Sequence, residues 1–290
     1  MAEKRESRKT KHVPREVTKQ ETAQQQSIVA TEELIPKELA TAAAGPAAEE
    51  FVPVTPAKPQ VGAWKARTSA GRDVVEGKIT DIAQLFDSGR RITEAAIVDA
   101  LLPSLENDII LIGGSSGKGG GIRRTPSKRT TRMHKSGRRY HISVMVVVGN
   151  RNGYVGLGLA GGLPSAHREV VEKALVDAKL NLIPIRRGCG SWECRCGGAH
   201  SIPFKVTGKA GSVRIELMPA PRGLGLAVSD EVKKVMGLAG IRDIWCKSRG
   251  QTQSRVNLIK AVFDAMRKLD AYRVSEEMEA KMGLKTGRVE

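Results

Sequence analysis

This sequence predicts an α+β protein, and three observations carry that prediction. Ile142, Val144, Val146 and Val148 alternate with Ser143, Met145 and Val147, the period of a strand with at least one buried face. Asn152-Gly153 follows, a pair that accepts the positive φ of a two-residue hairpin turn, so Tyr154 to Leu159 returns as the antiparallel partner. Val170, Val171, Ala174, Leu175 and Ala178 then recur at helical spacing, an apolar stripe that predicts a helix starting at Ser165 and ending near Leu180.

The remaining elements follow in chain order. Residues 1–60 run from a charged, Gln-rich stretch to Pro53, Pro56 and Pro59 with few large apolar side chains, and read as a disordered tail ending in a Pro-rich linker. Thr80 or Asp81 is placed to cap a short helix through Phe86, and Thr93 a second one carrying Ile97, Val98 and Leu101 before Pro103. After the 165–180 helix come a short strand over 182–186, a Cys-rich loop and strands over 204–206 and 212–218. In the last of these Val213, Ile215 and Leu217 alternate with Arg214 and Glu216. A helix over 229–239 opens on Ser229, Asp230 and Glu231. A strand over 241–247 and a helix over 254–269 complete the pattern. The expected organisation is a tail (1–60), a first domain (61–207), a second domain (208–272) and a C-terminal tail (273–290).

Charge narrows the function. The 290 residues carry 48 Lys+Arg against 31 Asp+Glu, a net charge of +17. Residues 1–50 hold 8 basic and 9 acidic side chains, so the excess lies downstream. Such a field attracts nucleic acid through counterion release. It is densest from Gly113 to Tyr140, which has no acid and nine bases: Lys118, Arg123, Arg124, Lys128, Arg129, Arg132, Lys135, Arg138 and Arg139. So much glycine and like charge predicts an arm ordered only when a polyanion neutralises it. Aromatic residues are 3% of the chain, which disfavours a reader that stacks unpaired bases and favours phosphate and shape contacts with folded RNA or DNA. No segment approaches the roughly 20 apolar residues needed to span a bilayer. The charged N-terminus lacks the apolar core of an export signal, so the expected compartment is cytoplasmic, with cysteines reduced or metal-bound.

Two motifs suggest nucleotide binding and fail on context. Gly-Gly-Ser-Ser-Gly-Lys at 113–118 lacks the leading glycine, the following Ser/Thr and the helix of a phosphate-cradling loop. Gly156, Gly158 and Gly161 spell a dinucleotide fingerprint, but their strand belongs to a hairpin and Asp177 lies within a helix; these glycines instead permit close backbone approach. Cys189, Cys194, Cys196 and His200 form a complete tetrahedral ligand set of the kind that closes a structural zinc site, with irregular spacing. One structural zinc, and a reduced loop held by protein and RNA contacts alone, both remain open. Cys246 stands apart and is expected in the core. His134 and His141 flank the basic arm and have no nucleophile or carboxylate at a suggestive position. Met218 to Leu226, stiffened by prolines and with Arg222 at its tip, reads as a rigid contact loop.

Four runs in this order resemble one family. They are 146–159 (Val-Val-Val-Gly-Asn-Arg-Asn-Gly-Tyr-Val-Gly-Leu-Gly-Leu), Arg187-Gly-Cys-Gly-Ser-Trp-Glu-Cys, Pro219-Ala-Pro-Arg-Gly-Leu-Gly-Leu and Ala239-Gly-Ile-Arg-Asp-Ile-Trp. Together they resemble the family of small-subunit ribosomal protein five in its archaeal form, over about residues 75–270. The resemblance implies a double-stranded-RNA-binding-like N-terminal domain and a small left-handed βαβ-type C-terminal domain of two layers. It implies a place near the neck of the small subunit, against ribosomal RNA and small-subunit proteins four and eight, where the family shapes the messenger RNA entrance and supports decoding accuracy. By position, the family's RNA-contacting loop maps onto Thr125 to Arg139 and its glycine-rich hairpin onto Gly149 to Gly158. Two stretches depart from the family's pattern: Gly113 to Thr130 is an expanded loop, and Ala160-Gly-Gly-Leu-Pro-Ser lacks the usual lysine.

The expected function is therefore a non-enzymatic, rRNA-binding constituent of the small ribosomal subunit, with no membrane or small-molecule partner. RNA contacts are expected at Arg123, Arg124, Lys128, Arg129, Arg132, Lys135, Arg138, Arg139, Asn150, Arg151, Asn152 and Arg222. The alternative is a free-standing double-stranded-RNA-binding regulator or RNA-modifying enzyme, which would require an acid-base or cofactor constellation that the sequence does not display.

Overall fold

A thirteen-residue strand organises the chain in the computed structural model, which describes residues 64–116, 121–194 and 196–287. The tail expected over 1–60 lies outside the described residues, as does Lys118. Three short helices come first: α1 (Ser69–Val75), α2 (Ile82–Asp87) and α3 (Ala95–Leu101). Then follow β1 (Glu106–Ile110), β2 (Gly113–Ser116), β3 (Ile122–Thr125), β4 (Ser127–His134), β5 (Gly137–Gly149), β6 (Tyr154–Gly162), α4 (His167–Leu180), β7 (Leu182–Pro184) and β8 (Arg186–Arg187). The rest is β9 (Val206–Ala210), β10 (Val213–Pro219), β11 (Leu226–Ala227), α5 (Asp230–Ala239), β12 (Ile244–Arg249), α6 (Arg255–Ala271), α7 (Glu276–Met282) and β13 (Lys285–Thr286). The α+β class expected from the sequence stands.

The first sheet has the order β1-β5-β6-β7, and β4 extends the β1 edge of β5. From Ile142 onward β5 is packed on both faces. Met145 and Val147 join Ile110, Val155, Leu157, Val235 and Leu238 in the largest core. Val144, Val146 and Val148 pack with Val170, Ala174 and Ala178 of α4. On that second face β6 presents Gly156 and Gly158 opposite Val148 and Val146, and a Cβ at Gly158 would collide with the Ala174 carbonyl. Two glycines of the apparent dinucleotide fingerprint, Gly156 and Gly158, are the seat of a helix, while Gly161 lies against His141.

The second sheet runs β11-β12-β10-β9. Val213, Ile215 and Leu217 are fully buried beneath α6, and Gly208 lies against Ala261 and Ala265 as Gly158 lies against Ala174 and Ala178. β11 and β12 pair in parallel, joined by α5, the one crossover of this kind in the described sheet. The leading helices form a third cluster, closed by Tyr154 stacked on Phe86 with ring centroids 6.0 Å apart.

Several expectations shift. The arm over 113–140, expected to order only on a polyanion, forms two hairpins among its described residues, β2–β3 and β4–β5. The reason is that β4 starts on an already buried strand, Ser127 opposite Val144, and each further residue adds ladder bonds while its charge stays in water. Thr130, Thr131, Tyr140 and Ile142 supply the β propensity. The Asn-Gly turn is not a two-residue I′ loop. Positive φ falls on Arg151 (54°) and Gly153 (95°), and the Asn150 side chain accepts from the Asn152 and Tyr154 amides at 2.9 and 3.1 Å. The strand over 182–186 splits between two sheets because Ile185 turns inward to bond Gly153 at 2.7 Å. β9 and β12 start two and three residues later than expected. Sequence reasoning missed α1, capped by Thr68, whose hydroxyl accepts from Gly71 N at 3.2 Å. Residues 273–287, expected as a tail, carry α7 and β13, and Lys285 pairs with Arg187.

Replacing Gly158 by Val should cost about 3 kcal/mol or more through forced separation of α4 from β6, lowering Tm by roughly 6–12 °C. Gly237 on α5 has open space where a Cβ would go. Gly237→Ala should therefore stabilise by about 0.5–1 kcal/mol. Differential scanning calorimetry of both variants checks the pair, and equal effects at the two positions would contradict this packing.

Candidate nucleic-acid interface and metal centre

The basic residues gather on the projecting β4–β5 hairpin. Its two-residue turn is Lys135-Ser136, with Gly137 at φ 107°. Pairing fixes the faces. Lys128, Arg132 and Arg139 lie on one, Arg132 directly opposite Arg139; Arg129, Met133 and Arg138 share the other with Tyr140. Arg129 sits 5.3 Å over the Tyr140 ring. Arg139 reaches Ser136 Oγ at 3.0 Å, and no described carboxylate pairs with any base of this hairpin. Opposed like charges destabilise a ladder, so this hairpin is electrostatically complete only beside a polyanion. Arg123, on β3, is exposed. Arg124 is half-buried and lines a cavity with Lys233, Arg255 and Leu226, so it serves the β2–β3 hairpin's seat on the second sheet.

At the β5–β6 turn the expected contact residues divide. Arg151 is exposed, and its guanidinium donates to Glu106 at 2.7–2.8 Å. Asn150 uses its amide oxygen to close the turn, and Asn152 accepts from Arg187 at 2.9 Å. Those two oxygens are engaged by the fold.

Cys189, Cys194, Cys196 and His200 come together, with one ligand atom from each lying within 4.8 Å of all the others. Donors on a tetrahedral zinc at bond lengths of about 2.0–2.3 Å stand roughly 3.3–3.8 Å apart, so the set closes with small adjustment. Cys194 Sγ is already 3.8 Å from His200 Nε2. Burial pushes the Cys189 thiol up, but hydrogen bonds from His200 and Cys196 outweigh it and bring the group to about 7, favouring the thiolate. Cys246 is pushed the other way, to about 11, by burial alone; it is half-buried against the edge of the largest core, not inside that core as the sequence predicts.

The residue that sequence reasoning missed is Asp243. One carboxylate oxygen lies 2.8 Å from His200 Nδ1, leaving Nε2 free to face the sulfurs. The other accepts from Gly223 N (3.1 Å) and Gly225 N (2.8 Å), where φ is 93° and 76°. The Pro/Gly loop carrying Arg222 is thereby fixed to the ligand cluster through one buried side chain. Asp243 lies inside the run Ala239-Gly-Ile-Arg-Asp-Ile-Trp, but a single acid between isoleucines carries no spacing signal. Arg187 was also missed. It is 5% exposed and donates to Asn152, Gly240 and Gly287.

Residues 126–186 match the family model "Ribosomal protein S5, N-terminal domain" and residues 208–281 match "Ribosomal protein S5, C-terminal domain". The chain is similar to the small ribosomal subunit protein uS5 of Methanobrevibacter smithii, 47% identical over 222 residues, covering 77% of this chain and 96% of the relative. It is 46% identical to the uS5 proteins of Methanothermobacter thermautotrophicus (76% and 94% covered) and Methanocaldococcus jannaschii (78% and 96%). With both domain models matched in order and relatives of this identity covered almost end to end, the chain belongs to the ribosomal protein S5 family.

Proposed function

We propose that this protein is a structural, rRNA-binding constituent of the small ribosomal subunit in the cytoplasm, without catalytic chemistry of its own. The observation that carries the reading is the projecting β4–β5 hairpin, which continues from the buried part of β5 and carries six exposed bases with no carboxylate partner among the described residues. Folded RNA supplies the missing anions. Lys128, Arg129, Arg132, Lys135, Arg138 and Arg139 hold backbone phosphates and fix orientation. Arg123 and Arg124 at the neighbouring hairpin, Arg151 with Asn150 and Asn152 at the β5–β6 turn, and Arg222 on its clamped loop add contacts elsewhere. The free-standing regulator is disfavoured because relatives named small ribosomal subunit proteins align with this chain over 94–96% of their own length. Among the described residues the one cluster of metal-ligating side chains is a four-donor set, which would leave no open position for metal-dependent modification chemistry.

Within the subunit we place the protein near the neck, against small-subunit proteins four and eight and beside the messenger RNA entrance, where a fixed geometry supports decoding accuracy. The domain assignment is a double-stranded-RNA-binding-like unit over 61–207 and a left-handed βαβ-type unit of two layers over 208–272. It is supported by α4 packed across an antiparallel sheet and by the parallel β11–α5–β12 crossover. We assign one structural zinc to Cys189, Cys194, Cys196 and His200. It would staple the loop between β8 and β9 and, through Asp243, the loop bearing Arg222.

Converting Lys128, Arg132, Arg138 and Arg139 to Ala should flatten the slope of log affinity against log salt by up to about 3–4, since each phosphate neutralised on a duplex contributes about 0.9. Filter binding to small-subunit rRNA at graded salt reads this directly, and an unchanged slope would remove the hairpin as the anchor. Gradient sedimentation at low salt should find nearly all of the protein with the small subunit; a dominant free pool would favour the regulator. For the metal, Asp243→Asn should weaken zinc by about 10–100-fold in competition with a chromogenic chelator. Zinc retained at unchanged affinity would separate Asp243 from the site.

A further inference from the structure

One cavity of about 730 Å³ is lined by Arg151, Arg187, Arg222 and Arg242, together with the backbone around Gly237 and Gly240 and the edge of the Cys/His loop. No carboxylate lines it. Arg151 shares its charge with Glu106, while neither Arg222 nor Arg242 has a carboxylate partner among the described residues. Arg187 forms the floor. Its guanidinium meets only neutral oxygens, those of Asn152 (2.9 Å), Gly287 (3.0 Å) and Gly240 (3.4 Å), and its Nε has no partner. A buried cation with neutral acceptors alone is expensive, and a second arginine beside it raises the cost. Arg187 ties the β5–β6 turn, the end of α5 and residue 287 together, whereas Arg242 beside it makes no side-chain hydrogen bond or ion pair among the described residues, so its charge on this cavity wall is not used by the fold.

We propose that this cavity is a phosphate-binding site, in which Arg222, Arg242 and Arg151 grip the anion and Arg187 supplies a fixed positive floor. Arginine suits the task because its planar fork donates two parallel bonds to phosphate and keeps its charge when desolvated. The site rests on the RNA-binding reading above but is separate from the hairpin surface. An RNA backbone phosphate and a free phosphate ion present the same oxygens, so the chemistry is common to both sources. The Asp243 clamp gives the site its rigidity, since it holds the loop that carries Arg222.

The test is NMR of the arginine side-chain Nε–H groups in the full chain at constant ionic strength. One titration uses inorganic phosphate against chloride, the other a short RNA duplex with 5′-hydroxyl ends. A saturable shift of the Arg187 signal is expected, and whichever probe produces it names the source. Arg242→Gln and, on the facing loop, Arg222→Gln should each weaken that response at least about tenfold, as loss of a charge-assisted bond requires. If the Arg187 signal stays still with both probes while the β4–β5 hairpin signals move with RNA, the cavity assignment falls and the RNA reading stands. If neither group moves, both fall.

Discussion

Burial of β5 on both faces is the constraint on which the other features depend. Met145 and Val147 face one core while Val144, Val146 and Val148 face another, so the strand cannot part from either layer without exposing apolar side chains. Any slip exchanges the two sets. The fixed strand sets the direction of everything that extends from it: the β4–β5 hairpin at one end, the Arg151 turn at the other, and α4 seated on bare glycine backbone. Rigidity matters more than charge alone for such a protein, because phosphate contacts fix register only if the cations cannot drift relative to one another.

The same core reaches into the second sheet. Val235, Leu238 and Ile241 pack with Val147, Val155 and Leu157, so the segments matched by the two family models share one buried cluster. Asp243 extends that unity to polar groups, since its two oxygens serve a ligand histidine and two loop amides. A single carboxylate therefore couples the shape of the metal loop to the position of Arg222.

Much of this was legible in the chain. Alternation at 142–148 and 213–217 and the stripes at 170–178 and 254–269 mark elements whose side chains are indeed buried, because periodicity is written by burial itself. The Cys/His set was legible by composition alone. The basic arm was misread because like charge and glycine were weighed without its neighbour, and a strand nucleated on β5 inherits order that its own composition does not supply. The turn at 150–153 was misassigned because the Asn150 side chain, rather than the Asn-Gly pair, closes it. Asp243 and Arg187 left no trace, since both act through partners eighteen to one hundred residues away.

The pairing of β13 with β8 has a consequence for the order of events during synthesis. Gly287 accepts from Arg187 across one hundred residues, and Met282 accepts from Cys189 N at 2.9 Å. A chain growing from its N-terminus folds its earlier units first. The two sheets can therefore assemble while Arg187 and the Cys189 loop still wait for these acceptors. Until residue 287 emerges, the nascent protein presents an uncovered arginine and an unlatched thiol loop, and the four candidate ligands of that loop are at their most accessible.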